Sequence, residues 1–306
     1  MGPDMFVIYS APIEDIIKEH GLSSISYADD TQLFVLIKPS NRDSALDKLA
    51  NCIEDIRLWM TENKLMLNNS KTELLHVTSR FARNVPNVDI TIGNSTITPS
   101  KEVRDLGVIL DKGLTMSAHI NAVCKNASYA IYRIGKLRRY LDAENTEKLI
   151  HSFVTSRIDN CNSILYGLPD KELNKLQRIQ NTAARVVTLS RKHDHITPVM
   201  VQLHWLPIRQ RIVFKLMLLT YKALNGEAPV YISDLITTYQ PSRTLRSASQ
   251  YLLQEAPAKS KTYGRSFSVA APRLWNRLPL AIRNSQTTSQ FKSRLKTHLF
   301  NEAFNN

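Results

Sequence analysis

Cysteine is scarce. Three residues in 306 (Cys52, Cys124 and Cys161), widely spaced and odd in number, argue against a disulfide framework and fit a reducing compartment. Long apolar runs are missing too, and nothing approaches the ~20 residues of a membrane helix. The first residues, Met1-Gly2-Pro3-Asp4, put an acid where a signal peptide needs basic residues. Phe6 stands where a myristoylation signal needs Ser or Thr. There is no Gly-rich phosphate loop and no Gly-x-Ser-x-Gly nucleophile signature. His193, His195 and His204 do not have zinc-finger spacing, and their nearest cysteine is Cys161. Together these absences predict a soluble intracellular protein, cytoplasmic or nuclear, outside the P-loop, serine-hydrolase and zinc-ribbon classes.

Acidic residues are lacking in one part of the chain only. Residues 1–170 hold 19 Lys and Arg against 21 Asp and Glu, whereas residues 171–306 hold 21 against 6. The net charge of +13 therefore lies C-terminally, which suggests a polyanion-binding surface there, nucleic acid being the commonest such partner. The plainer alternative is a well-solvated basic surface.

The spacing predicts a helix over 5–19 stopped by Gly21, then strands at 25–27 and 32–37 joined by the polar link Ala28-Asp29-Asp30-Thr31. Acidic residues suit the unusual backbone angles of such a turn. Asn41 offers a cap for a helix in which Ala45, Leu46, Leu49, Ile53, Ile56 and Trp59 recur at three- and four-residue spacing. Asn63 and Asn68-Asn69 break that pattern. Further strands are expected at 72–78, 88–92 and 103–110, the last interrupted by Gly107 where another backbone comes close. From Ser117 the period is helical, with helices near 117–140, 143–158, 170–189, 204–225 and 288–304. Residues 237–270 read as irregular, and there is no internal repeat. The fold class is α+β: antiparallel strands with helices on one face, then an all-helical, basic segment.

Asp29 and Asp30 carry the chemistry. Nucleotidyl transfer by two metal ions needs carboxylates on rigid backbone, holding ions about 4 Å apart. A hairpin tip is such a platform, although a bare Asp-Asp pair more often decorates a surface turn. The full string Ile25-Ser26-Tyr27-Ala28-Asp29-Asp30-Thr31-Gln32-Leu33-Phe34 is more specific, and it resembles the catalytic hairpin of reverse transcriptases. Residues 63–73, Asn-Lys-Leu-Met-Leu-Asn-Asn-Ser-Lys-Thr-Glu, look like the next polymerase motif of LINE-type (non-LTR) retrotransposons. Residues 103–111, Val-Arg-Asp-Leu-Gly-Val-Ile-Leu-Asp, look like the primer-grip strand that follows. Segments 156–162, 175–185, 195–198, 203–207 and 271–279 resemble the downstream region of jockey-related elements.

This resemblance implies a partial polymerase palm over 1–115, a helical thumb-like region over 116–190 and a basic, mostly helical C-terminal extension over 191–306. It implies RNA-directed DNA polymerase activity in the intact protein, with Mg²⁺ as cofactor, dNTP as substrate, and RNA template and RNA–DNA or DNA duplex as partners. Asp29 becomes the palm metal ligand and Asp30 a weaker contributor. Lys71 comes near the incoming phosphates, where an ammonium offsets charge or protonates the leaving pyrophosphate. Read without the resemblance, Lys71 is a surface lysine starting a strand. Leu106 and Gly107 become primer-grip-like backbone.

The basic helices supply Lys171, Arg178 and Arg185 at seven-residue spacing, and then Arg209, Arg211 and Lys215, as nucleic-acid contacts. Trp205 beside these cations can stack on a base or form a buried start to the next helix, the reading preferred here; Trp59 and Trp275 read as core. The family's first palm motif, with its own Asp, lies upstream of the Tyr-Ala-Asp-Asp turn, and Gly2-Pro3-Asp4-Met5-Phe6 resembles the tail of the motif between them. The chain is thus expected to begin inside the palm, to lack the fingers and to be inactive alone. The alternative function is non-catalytic binding of RNA or RNA–DNA duplex.

Overall fold

A computed structural model describes residues 2–38, 40–79, 88–93, 95–240, 250–258 and 260–305. The fold is α+β; among the described residues the short strands lie in the first part of the chain and the rest is mainly helical. Two compact units are present: Met1–Asp105 with Leu110–Gly113, and Leu106–Ile109 with Leu114–Asn306.

The first unit opens with two helices, α1 (Gly2–Ser10) and α2 (Pro12–Glu19), where the apolar spacing predicts one. Pro12 lacks an amide hydrogen and has a fixed φ, so it begins a helix well and interrupts one badly. Gly21, at φ 65°, ends α2 as expected, and its amide donates to Lys18 O at 2.8 Å. Strands β1 (Ser23–Tyr27) and β2 (Asp30–Phe34) pair antiparallel with Tyr27 opposite Asp30. Helix α3 (Arg42–Glu62) buries Ala45, Leu49, Cys52 and Ile56 along one stripe.

Ile13, Ile17, Cys52 and Ile56 form one apolar cluster, and Leu49 forms another with Ile90 and Ile92. Leu33 of β2 packs against both. Ile90 and Ile92 lie on β3 (Ile90–Ile92), paired antiparallel with β4 (Ser95–Ile97), a strand the sequence pattern did not reveal.

Two expected strands take another form. Residues 72–78 make one isolated bridge, Leu74 to Pro99. Proline has no amide hydrogen with which to extend a ladder, and Ser100 N instead donates to Leu74 O at 2.8 Å. Residues 103–110 are a hairpin: β5 (Glu102–Asp105) and β6 (Val108–Asp111) are joined by Leu106-Gly107 at φ 43° and 87°. Two positive φ values in a two-residue loop mark a type I′ turn. A Cβ added at Gly107 meets nothing within 4 Å, so this glycine serves its own backbone angle and not the close approach of another segment.

The second unit is helical. Helix α4 (Ser117–Leu137) runs into a 3₁₀ turn at Arg138–Tyr140. The expected helix over 143–158 consists of α5 (Ala143–Ile150), a π-helical segment at His151–Thr155 and α6 (Ser156–Asp159). Helix α7 (Asp170–Thr188) matches its expectation. Helix α8 (Ile196–Gln202) was hidden because Pro198 reads as a stop; in a first turn its missing amide hydrogen has no intrahelical partner to lose. Helix α9 (Ile208–Leu224) starts later than expected, with Pro207 at its N-cap. Then come α10 (Val230–Ser233), α11 (Phe267–Arg277), α12 (Leu280–Arg283) and α13 (Thr288–Phe304).

The core of this unit is a stack of rings. Phe291 of α13 lies 4.3 Å from Tyr221 of α9 and 5.8 Å from Trp275 of α11, centroid to centroid, near-parallel to both. Tyr221 donates its hydroxyl to Ser285 O at 2.9 Å and Trp275 its Nε1–H to Tyr251 O at 2.8 Å, so the polar ends are satisfied.

Phe291 is fully buried. Phe291→Ala is expected to lower the unfolding free energy by about 3–5 kcal/mol; a loss under about 1 kcal/mol in chemical denaturation contradicts this packing. Burial, aided by the Asp55 charge, pushes the Cys52 thiol up to about 11 from its ordinary 9.0. The folded chain thus favours the protonated thiol, whose stabilising share is complete below about pH 9 and is lost as pH rises towards 11. Denaturation across that window is expected to show a steeper loss of stability in the parent than in Cys52→Ala. Parallel curves contradict it.

Candidate functional site

The turn between β1 and β2 has two residues, Ala28 and Asp29, and Asp30 is already paired with Tyr27. Ala28 takes the left-handed angle, φ 55°, where the sequence pattern assigned such angles to the acids. The strained position falls on the small residue, and Asp29 and Asp30 keep ordinary φ. Strand alternation puts Asp30 on the face shared by Tyr27, Ile25 and Gln32. On the opposite face the Ser26 and Thr31 hydroxyls lie 3.3 Å apart. Both carboxylates are exposed, and among the described residues no ion pair engages either.

Behind the tip, Gln32 Nε2 donates to Asp105 Oδ1 at 2.6 Å in a half-buried contact that ties β2 to the end of β5. Sequence reading gave Gln32 no role, because nothing local marks a partner 73 residues away. Leu106 is exposed at the turn that follows β5, and Gly107 beside it holds the second positive φ. Lys71 is exposed on a turn organised by Asn68, whose Oδ1 accepts from Ser70 N at 3.1 Å and whose carbonyl accepts from Lys71 N at 3.0 Å. Among the described residues Lys71 makes no ion pair with Asp29 or Asp30. No group of three or more His, Cys, Asp or Glu is placed to hold a metal ion among the described residues. Two adjacent carboxylates suit Mg²⁺ in kind but are too few for a two-ion centre.

The six cations of the C-terminal helices separate into two sets. Lys171, Arg178 and Lys215 are exposed and, among the described residues, outside any ion pair. Arg185 turns back to donate to Arg191 O and Asp194 O, both at 3.2 Å. Arg209 pairs with Asp170, and half-buried Arg211 grips Asp159, with Nε donating at 2.9 Å. Trp205 is buried, donates to Glu147 Oε1 at 2.9 Å and faces the His151 ring at 5.3 Å, which makes it core. Trp275 is buried as well, and Trp59 packs on the cluster of α2 and α3.

Helix α4 carries a surface that the charge count by halves concealed. No acid occurs between Asp111 and Asp142, while Lys112, Lys125, Arg133, Lys136, Arg138 and Arg139 fall within that span. Tyr129, Tyr132 and Tyr140 project there, each more than half exposed.

Over 197 residues the chain is 26% identical to the RNA-directed DNA polymerase from mobile element jockey of Drosophila funebris. The likeness is to a reverse transcriptase. The alignment covers 61% of this chain and 21% of that protein, so the chain spans about a fifth of the relative's length. No protein-family model matches the chain, and no solved structure matches it. At this modest identity the similarity supports a reverse transcriptase of the LINE type. No helix among the described residues is long and apolar enough to cross a membrane.

Two exposed carboxylates bind a hard divalent cation weakly, at about millimolar affinity or worse. A Mg²⁺ titration followed by amide chemical shifts is expected to move signals at residues 28–31, an effect absent in the Asp29→Asn, Asp30→Asn double variant. Micromolar binding by the parent contradicts an incomplete site.

Proposed function

We propose that this chain is part of the RNA-directed DNA polymerase of a non-LTR, LINE-type mobile element, with a partial palm over 1–115, a thumb-like region over 116–190 and a basic C-terminal region over 191–306. The observation that carries the reading is the Tyr-Ala-Asp-Asp hairpin, whose exposed tip bears Asp29 and Asp30, in a chain that is 26% identical over 197 residues to the jockey polymerase. In the intact protein Asp29 and Asp30 hold Mg²⁺, which supplies charge neutralisation at the phosphates of a dNTP. Lys71 offsets phosphate charge, and the Leu106-Gly107 turn supports the primer end. Lys171, Arg178 and Lys215 hold the phosphates of an RNA template or RNA–DNA duplex, with Arg185, Arg209 and Arg211 available once their internal partners are displaced.

The 306-residue polypeptide by itself does not polymerise DNA in this reading, because the carboxylate pair falls short of a two-metal set. The alternative is a non-catalytic module that binds RNA or RNA–DNA duplex, favoured by the exposed cations of the second unit and by a carboxylate set of only two.

Binding of the purified chain to an RNA–DNA heteroduplex, followed by anisotropy at rising salt, tests the reading. Three phosphate contacts give a slope of log affinity on log salt of roughly −2 to −3, and Lys171→Ala with Arg178→Ala reduces it by about 2. Absence of binding at low salt removes the nucleic-acid role. Template-directed dNTP incorporation that is lost on Asp29→Ala overturns the proposed inactivity.

A further inference from the structure

We propose that the exposed face of α4 and its 3₁₀ extension is a binding track for an unpaired nucleic-acid strand, with Tyr129, Tyr132 and Tyr140 stacking on bases while Lys125, Arg133, Lys136 and Arg139 meet phosphates. This deepens the reverse-transcriptase reading and rests on it. The helix has two opposite faces. Ile120, Ala127, Ile131 and Ile134 are buried at three-, four- and seven-residue intervals, and Lys125, Tyr129, Tyr132, Arg133 and Lys136 occupy the other side. Tyr129, Tyr132 and Tyr140 are 63%, 59% and 72% exposed, so each ring offers apolar area that gains from contact.

A cation lies over each ring. Lys136 Nζ lies 4.5 Å from the Tyr132 centroid, Arg139 4.7 Å from Tyr140, and Arg133 5.8 Å from Tyr129. A ring with a positive group over one face repeats along the helix, which is the pairing a single strand presents in reverse: a base plane and a phosphate at every step. From Lys125 to Tyr140 the track is about 22 Å long at 1.5 Å per residue. That is about the length of six nucleotides stacked at 3.4 Å. A paired duplex hides its base planes within its own stack and leaves such rings without a partner. An acidic protein surface would satisfy the cations but not three projecting aromatic planes, so unpaired nucleic acid is the occupant that uses both.

The test compares a 12-nucleotide single strand of RNA or DNA with an RNA–DNA heteroduplex of equal length, by anisotropy on the full chain. The parent is expected to bind the single strand more tightly. Tyr129→Ala with Tyr132→Ala weakens that binding roughly 10-fold or more and changes heteroduplex binding by less than about 2-fold. Tyr129→Phe with Tyr132→Phe keeps the parent affinity, since stacking uses the ring and not the hydroxyl. Lys171→Ala with Arg178→Ala on α7 leaves the single-strand preference in place. Unchanged single-strand affinity in the alanine pair, or equal losses for both ligands, overturns the track while the heteroduplex binding of the parent still upholds the broader reading. Binding to neither ligand overturns both. Binding to vesicles rich in anionic lipid without binding to the single strand assigns the face to a membrane surface and overturns the proposal.

Discussion

Leu33 packs against both apolar clusters of the first unit, with Ile13, Ile17, Cys52 and Ile56 in one and Leu49, Ile90 and Ile92 in the other. A strand alternates its side chains, so committing Leu33 inward leaves Asp30, Gln32 and Phe34 on the opposite face. A slip of one residue would bury Gln32 and turn Leu33 to water, which both clusters resist. The register that buries Leu33 is therefore the one that sets Asp30 opposite Tyr27 and brings Gln32 to Asp105. The carboxylates stand at the far end because an unpaired charge drawn into either cluster would be costly. Hydrophobic anchoring at one end of the hairpin thus fixes the position of Asp29 and Asp30 at the other.

In the second unit, arginine does structural work that a charge count does not register. Arg138 donates to Val186 O and Val187 O, both at 3.0 Å, at the C-terminal end of α7, where the helix dipole is negative. Arg185 closes the loop after that helix, Arg283 donates to Gln250 O at 2.5 Å, and Arg294 to Ala281 O at 2.6 Å. Each guanidinium satisfies carbonyls that would otherwise lack donors. The basic excess is accordingly larger than the set of cations exposed to solvent.

The long helices α3, α4, α7 and α13 were legible because each repeats its buried residues at helical spacing over about two to four turns. The hairpin β1–β2 was legible from its β-branched and aromatic run and the polar link within it. What could not be read has local physical causes. Leu106 is a bulky residue at positive φ, so the β5–β6 turn lacked the Asn-Gly or Asp-Gly pair that announces a type I′ hairpin. Helices α8 and α11 contain Pro198 and Pro272, and proline reads as a boundary when it sits inside a short helix. Cys52, the most buried residue of α3, was passed over among the aliphatic positions of its own stripe. Exposed tyrosines on α4 could not be told from core tyrosines until the buried face of that helix was known.

The division of charge sharpens when it follows the folded units. The first unit holds 12 Lys and Arg against 16 Asp and Glu, and the second holds 28 against 11. A boundary drawn at residue 170 placed the acid-free stretch between Asp111 and Asp142 in the neutral half and so hid it. An acidic unit repels a phosphate backbone, and its Asp29 and Asp30 can meet phosphate only through a cation. On the proposed reading two sources of positive charge would answer that need, a divalent ion at the carboxylates and the lysines and arginines of the second unit along a strand. The first would supply local charge and the second an affinity that falls with salt. On the proposed reading, loss of the α4 or α7 cations lowers nucleic-acid affinity without altering the carboxylates themselves.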